Sequence, residues 1–313
     1  MIRYCIYRLA ITIPVLLGIS LLAFFLGILS PGDPAEFALN QNGLEEPTEA
    51  QIMAMREELG LNKPAYVRFC NWFLQVLHGD LGTSYITGRD IWDELFLRLP
   101  TTIELACFAL MFAVVFGICL GVICSLYQNS LFDGTVQILT NISLSIPSFW
   151  LALIMILVFS ELLSVLPTSG SDSWKHFIMP AFAVSFSTIA TLCRFTRSAM
   201  LKEFGEQYFI IAKARGLSKS KLLFQYALPN AILPVIALLG NYWASILGGS
   251  VIAESIFAIP GISNMALEAI RYRDYPVLQA YVLVTGWVLV IVTLGVDLLM
   301  AYVNPRIKVG EQS

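Results

Sequence analysis

Six stretches of this chain contain no Asp, Glu, Lys or Arg: residues 9–32, 105–132, 134–160, 176–193, 222–253 and 275–296. That spacing limits the possible folds more than any other feature. A helix needs about 20 predominantly apolar residues to cross the hydrocarbon core of a bilayer. Within that core each backbone polar group must find its partner inside the protein, which leaves helices or closed barrels. Five of the six blocks are long enough as they stand, and 176–193 is long enough once Arg194 snorkels from the membrane edge. The chain is therefore predicted to be an all-α membrane protein with six transmembrane helices. Composition agrees, since only 13% of the 313 residues are charged, about half the share usual in a soluble domain. Arg3 and Arg8 precede the first block as in a secretory signal. Its apolar run exceeds the usual length of roughly 7–15 residues and no A-x-A site follows, so it reads as a retained helix.

The charged residues fix a topology. Residues 30–98 hold eleven acids and five Lys or Arg, whereas residues 194–221 hold seven Lys or Arg and two acids. Arg3 and Arg8 lie before the first span, and Arg306 and Lys308 lie after the last. The positive-inside rule then predicts that both termini and the 194–221 segment are cytoplasmic and the acidic loop is extracytoplasmic. Six spans satisfy all of these placements. The long loop is predicted to form a helical cap, with helices around TEAQIMAMREELGL and YVRFCNWFLQVLHGDLG, because structureless loops of that length are uncommon. The second span is predicted to start near Pro100 and Thr101. It carries Gly117-x-x-x-Gly121, a spacing that lets another helix approach closely. Pro147, in SLSIPSFW, predicts a kink in the third span, eased by Ser143, Ser145 and Ser148.

One compact basic segment breaks the apolar character. In YFIIAKARGLSKSKLLFQYALPNAILP (208–234), Lys213, Arg215, Lys219 and Lys221 occur with no acid among them. Gly216 suits the end of a helix followed by a turn, and Ser218 suits the cap of a second helix. A short helix, a sharp turn and a returning helix are expected, with Pro229 and Pro234 bending the chain back into the bilayer. Three roles fit such an element: a topology signal, a surface helix for anionic lipid, or a docking element for a cytoplasmic partner.

The spacing Ala212-x-x-x-Gly216, then nine residues, then Tyr226-x-Leu228-Pro229, resembles the "EAA" motif of ABC-importer permeases. Ile210 and Ile211 stand at the motif's Glu and first Ala, and Tyr226 stands at its Ile, as in the branch that serves peptides, nickel and metal–opine chelates. Further segments resemble the same branch: PGDPA (31–35), GDLGTSY (79–85), LPTTIEL (99–105), SIPSFWLAL (145–153), TRSAML (196–201), FAIPGI (257–262), RDYPVLQA (273–280) and NPRI (304–307). The resemblance runs end to end. It implies the type I importer permease fold, with residues 1–32 as the first helix and 33–98 as an extracytoplasmic helical loop. Residues 99–303 would be the permease core, including a coupling segment at 203–230, and 304–313 a cytoplasmic tail. Ala212, Lys213, Ala214, Arg215, Gly216 and Leu217 would couple to an ATPase. Arg271, Arg273 and Asp274, in an outer loop, would be candidates for contact with a solute-binding protein. The implied partners are a second, homologous permease, two ATP-binding cassette subunits, that binding protein and the lipid of a bacterial cytoplasmic membrane. Nucleic acid is not among them.

No covalent chemistry is expected of the chain. It contains no G-x-x-x-x-G-K-[ST], H-E-x-x-H or G-x-S-x-G, so ATP and Mg would be bound by the partner subunits and no cofactor by this chain. His78 and His176, the only histidines, read as incidental residues of outer loops, and no metal site is assigned. Six cysteines at scattered positions read as small buried apolar residues. Glu104, Asp133, Glu161, Arg194 and Glu254 fall at predicted helix ends, where headgroup solvation accounts for them. Asp297 lies inside the sixth span and is expected to make a structural ion pair. The rival readings are an ion-gradient-driven secondary transporter, which would show repeats and buried carboxylate relays, and a membrane-embedded enzyme, which would show a nucleophile–base constellation.

Overall fold

The computed structural model describes residues 2–29, 33–41 and 47–303. Apart from an isolated bridge between Thr83 and Asp90, the described regular structure is all helical. Helix α1 spans Ile2–Leu29, and α2 (Pro34–Gln41), α3 (Glu49–Glu58) and α4 (Ala65–Leu77) follow. Then come α5 (Ile91–Leu126), α6 (Leu131–Ser145) and α7 (Ser148–Met155), which continues as a π-helix, Ile156–Leu162. Next are α8 (Lys175–Phe204), α9 (Gln207–Ala214) and the single turn α10 (Lys219–Lys221), which leads through a π-helix, Leu222–Ala227, into α11 (Leu228–Ile256). The last two are α12 (Ile262–Tyr272) and α13 (Tyr275–Val303).

Among the described residues three helices are long and apolar enough to cross a membrane: α5, α8 and α13 over Tyr275–Val296. The number rises to five if each of two bent pairs is one span. The first block contributes the shorter apolar stretch Ile11–Phe25. The third predicted span is broken more sharply than a kink: α6 and α7 meet at 105° around Pro147. Ile146 is extended (ψ 121°), the conformation that a following proline favours, and Pro147 takes the N-cap position of α7.

The predicted start of the second span also needs correction. α5 begins at Ile91, and Pro100 lies inside it. The Asp90 carboxylate accepts from the Trp92 amide at 2.7 Å, and Asp93 and Glu94 fill the first turn, where the helix dipole favours acids. Ile91 and Leu95 are fully packed, which holds this turn in place upstream of the proline.

The chain divides into two compact units. The larger holds Thr102–Ile259 with Ile291–Ser313, and the smaller holds Ile2–Thr101 with Pro260–Val290. In the larger unit α8 is the central helix: 67% of its apolar window is buried, against 28% for α5 and α13. It packs on α6, α7 and α11. The core there draws Leu105 and Ala109 from α5, Met155 from α7, Phe177 and Met179 from α8, and Trp243 and Ile246 from α11. In the smaller unit Val76, Leu81, Ile91 and Leu95 pack with Ile262, Met265 and Leu283. Many large side chains on α6 and α7 face outward, among them Ile138, Leu139, Trp150 and Leu153; apolar surface on this scale suits lipid or a partner subunit.

Gly117 and Gly121 bring α5 and α8 together. A β-carbon at Gly121 would lie 2.6 Å from the Cys193 carbonyl oxygen and 2.6 Å from Thr196 Cβ, and one at Gly117 would lie 2.8 Å from Leu192 Cβ. Of the described cysteines, Cys124 and Cys193 are buried as expected, whereas Cys70, Cys107 and Cys119 are exposed. Because the obstacle at Gly121 includes backbone, Gly121→Ala is expected to destabilise the protein by about 1–3 kcal/mol. Thermal unfolding in detergent checks this, with a midpoint at least about 2 °C lower, whereas Gly134→Ala, which meets no atom within 4 Å, should not lower it.

Candidate functional site

The basic segment folds as a helix–turn–helix on the end of α8. Gly205 closes α8 and Glu206 opens α9. Arg215 and Gly216 donate their amides back to Ile211 and Lys213 at 3.0 Å each. Gly216 has φ +77° with nothing near its absent β-carbon, so glycine serves the left-handed turn here and not a close approach. Ser218 is extended, and its Oγ accepts from the Lys221 amide at 3.4 Å.

The segment is anchored by packing and by one polar knot. Ala212 is 4% exposed. Met200, Ala227 and Ala231 form a small core, with Phe204, Phe209, Leu223 and Leu228 against it, and the rings of Phe204 and Phe209 lie 5.1 Å apart. The Tyr208 hydroxyl donates to the Glu203 carboxylate. Asn230 donates through Nδ2 to the Tyr208 hydroxyl at 3.1 Å and to the Tyr226 carbonyl at 2.8 Å. Burial and the adjoining Glu203 carboxylate push the Tyr208 hydroxyl up to about 12, so it remains a donor at any physiological pH. α8, α9 and the start of α11 are thereby tied together.

What the anchor leaves exposed is equally informative. Lys213, Ala214, Arg215 and Gly216 are exposed and Leu217 is half-buried. Ile210, Ile211 and Phe224 are also exposed, at 54%, 54% and 62%. The turn therefore presents cations together with bare apolar side chains on a fixed frame. A purely solvated loop has no need of the apolar members.

Just above, α8 carries a buried ion pair. Arg197 Nε and NH2 donate to the two Asp133 carboxylate oxygens at 2.7 Å each. The same carboxylate accepts from the Asn129 amide at 3.0 Å and from Gln137 Nε2 at 3.1 Å. Asp133 is 1% exposed, which replaces headgroup solvation with an internal, fully satisfied pair. Glu254 is likewise corrected: it is 0% exposed and accepts from Thr102 Oγ1 at 2.7 Å. Glu104, Glu161 and Arg194 are exposed. Asp297 sits in α13, but its side chain lies outside the described residues, as do Arg306, Lys308 and the NPRI segment.

The residues proposed for an outer contact separate. Arg271 is exposed near the end of α12. Arg273 caps that helix in the left-handed conformation at φ +57°. Asp274 is buried (4%) and engaged within the smaller unit, accepting from Ser84 Oγ at 2.5 Å and from the Tyr85 amide at 3.2 Å. Burial pushes its carboxyl pKa up and the Ser84 hydrogen bond opposes this. Two segments 190 residues apart are joined here. His78 and His176 bond to their own helix neighbourhoods, and among the described residues no three His, Cys, Asp or Glu gather as a metal site would require.

Removing one member of the Asp133–Arg197 pair strands the other in a desolvated site. Asp133→Ala or Arg197→Ala is expected to destabilise by about 3–5 kcal/mol, and the double Asp133→Leu/Arg197→Met substitution should restore much of that loss. Thermal unfolding of the purified variants distinguishes this from a simple sum of two losses.

A family model for a binding-protein-dependent transport system inner membrane component matches residues 117–309. A model for the N-terminal part of a binding-protein-dependent transport system membrane component matches residues 1–106. A dipeptide transport system permease protein (DppB) of Alkalihalophilus pseudofirmus is 35% identical, over 98% of this chain and 100% of that one. A glutathione transport system permease protein (GsiC) of Pectobacterium atrosepticum is 35% identical, over 98% and 99%. Among solved structures, the MetNI methionine ABC transporter in inward-facing conformations shares the fold, with a TM-score of 0.56 at 17% identity, covering 67% of this chain and 96% of that one.

Proposed function

We propose that this chain, which belongs to the binding-protein-dependent transport system inner membrane components, forms half of the pathway through which an ATP-driven importer carries small peptides. It is a permease component and not an enzyme. The observation that carries the reading is the end-to-end match with permeases named for dipeptides and for glutathione. Both names describe short peptides or a peptide-like solute, which favours that class over nickel or a metal chelate.

In this reading six helices cross the membrane, α1 and α13 included, with both termini cytoplasmic and residues 33–98 outside. The chain pairs with a second, homologous permease, and the outward apolar side chains of α6 and α7 are available for that contact or for lipid. The turn at Lys213–Leu217 docks on an ATP-binding cassette subunit, which binds ATP and Mg. The exposed mix of Lys213, Arg215, Ile210, Ile211 and Phe224 supports this role, since a topology signal requires charge alone. The exposed Arg271 faces a solute-binding protein on the outer side, with Arg273 and Asp274 shaping the turn beside it. Closure of the ATPase subunits would pull α9, and through it α8, between two arrangements; that is a coupling free energy between two sites.

Two substitutions test the docking assignment in the assembled transporter. Ala212→Arg forces a long cation into a buried position, and Gly216→Val forces a β-branched residue into the left-handed region, at a cost of about 1–2 kcal/mol. Uptake of a labelled dipeptide by membrane vesicles is expected to fall at least tenfold in each, with the chain still inserted at normal levels. Normal uptake in both variants would contradict the assignment. Uptake that persists without any ATPase, driven by an ion gradient, would replace it with secondary transport.

A further inference from the structure

We infer that a cavity in the smaller unit binds a small organic carboxylate, such as an N-acylated amino acid or the C-terminal end of a short peptide. The cavity has a volume of about 280 Å³, close to the lower end for small-molecule sites. It lies between the turn after α3, helix α4, the 81–85 loop and the start of α13. Lys63 and Arg68 line it together with Asn71, Trp72, Tyr85 and Tyr275, and no Asp or Glu is among its lining residues.

Arg68 is the most informative of these. Among the described residues Arg56 pairs with Asp33, Arg98 with Glu268 and Arg197 with Asp133. Arg68 is half-buried and lines the cavity, and its guanidinium makes no ion pair or hydrogen bond within the described residues. A partly desolvated guanidinium without an anion is unfavourable, and its planar fork matches a carboxylate with two parallel hydrogen bonds. Lys63 adds a second, exposed cation at the rim.

The walls are fixed in advance of any ligand. Tyr85 is held by its backbone amide on Asp274. Burial pushes the pKa of its phenol up, opposed by the neighbouring Arg68 charge, so its hydroxyl stays protonated as a donor. The floor is Tyr275 and Gln279, 6% and 7% exposed, and Gln279 Nε2 donates to the Phe24 carbonyl at 3.3 Å. Trp72 and Phe24, 5.9 Å apart between ring centroids, give one apolar wall. Because no acid lines the site, an ammonium group gains nothing there, so recognition falls on the carboxylate and leaves the amino end of a ligand outside.

Calorimetric titration of the purified full chain in detergent tests the site, and it requires neither the partner subunits nor transport. N-acetylglycine is expected to bind saturably at millimolar concentration or below, and N-acetylglycinamide and inorganic phosphate at least tenfold more weakly. Arg68→Gln should lower affinity for the acid at least tenfold, whereas Arg56→Gln, outside the cavity, should leave it unchanged. Absence of saturable binding by the acid, equal binding of acid and amide, equal binding of phosphate, or unaltered binding in Arg68→Gln would each overturn the inference. The comparison of acid and amide uses the unmodified protein, so it decides even if Arg68→Gln fails to fold.

Discussion

One turn of α8, residues 193–197, holds the larger unit together. The Cys193 carbonyl oxygen and the Thr196 Cβ leave room only for glycine on α5, and the Arg197 guanidinium clasps Asp133 on α6. Two neighbouring helices are thus fixed against the same turn, one by shape and one by charge. In lipid the hydrophobic effect gives helices no reason to prefer each other over acyl chains, so close packing and polar contacts carry association. The same helix ends at Phe204 and Gly205, where the basic segment begins. The basic segment is therefore continuous with a helix already locked to α5 and α6.

Buried charge in this unit serves geometry more than stability. A buried pair is often no more stable than well-packed apolar residues of similar volume, but it is specific about who meets whom. Asp133 is satisfied by Arg197, Asn129 and Gln137 together, which leaves α6 a single register on α8. Glu254 and Thr102 play the corresponding part between α11 and α5. In the smaller unit Asp274 organises the 84–87 turn: it receives Ser84 Oγ, whose oxygen in turn accepts from the amides of Ile86 and Thr87 at 3.2 and 2.9 Å.

Much of this was legible in the sequence, in a particular way. The apolar blocks located the long helices because length and absence of charge are properties of one segment. The Gly216 turn and its Ser218 cap were legible for the same reason, as was the close approach at Gly117 and Gly121. Contacts between distant segments were not. GDLGTSY and RDYPVLQA stand out separately, but nothing in either says that Ser84 meets Asp274; likewise TRSAML does not announce that Arg197 seeks Asp133. Charge at a block's edge reads as headgroup solvation until a partner is seen across the bundle. Proline was misread at Pro100, and at Pro147 the bend was foreseen but not its size, because its effect depends on whether neighbouring caps and packing favour continuing the helix. Asp90 and the buried Ile91 favour it at the first; the extended Ile146 ends the helix at the second.

The exposed cations and apolar side chains around Gly216 are the feature on which the docking assignment rests, since they are fixed in place and have no internal purpose. Affinity purification of the chain from its native membrane, with identification of the proteins that stay bound, tests this most directly. The account predicts recovery of a second permease and a P-loop ATPase, with the ATPase alone lost when Gly216 is replaced by valine. Recovery of the chain without any ATPase, or an ATPase retained unchanged by the Gly216→Val chain, would contradict it.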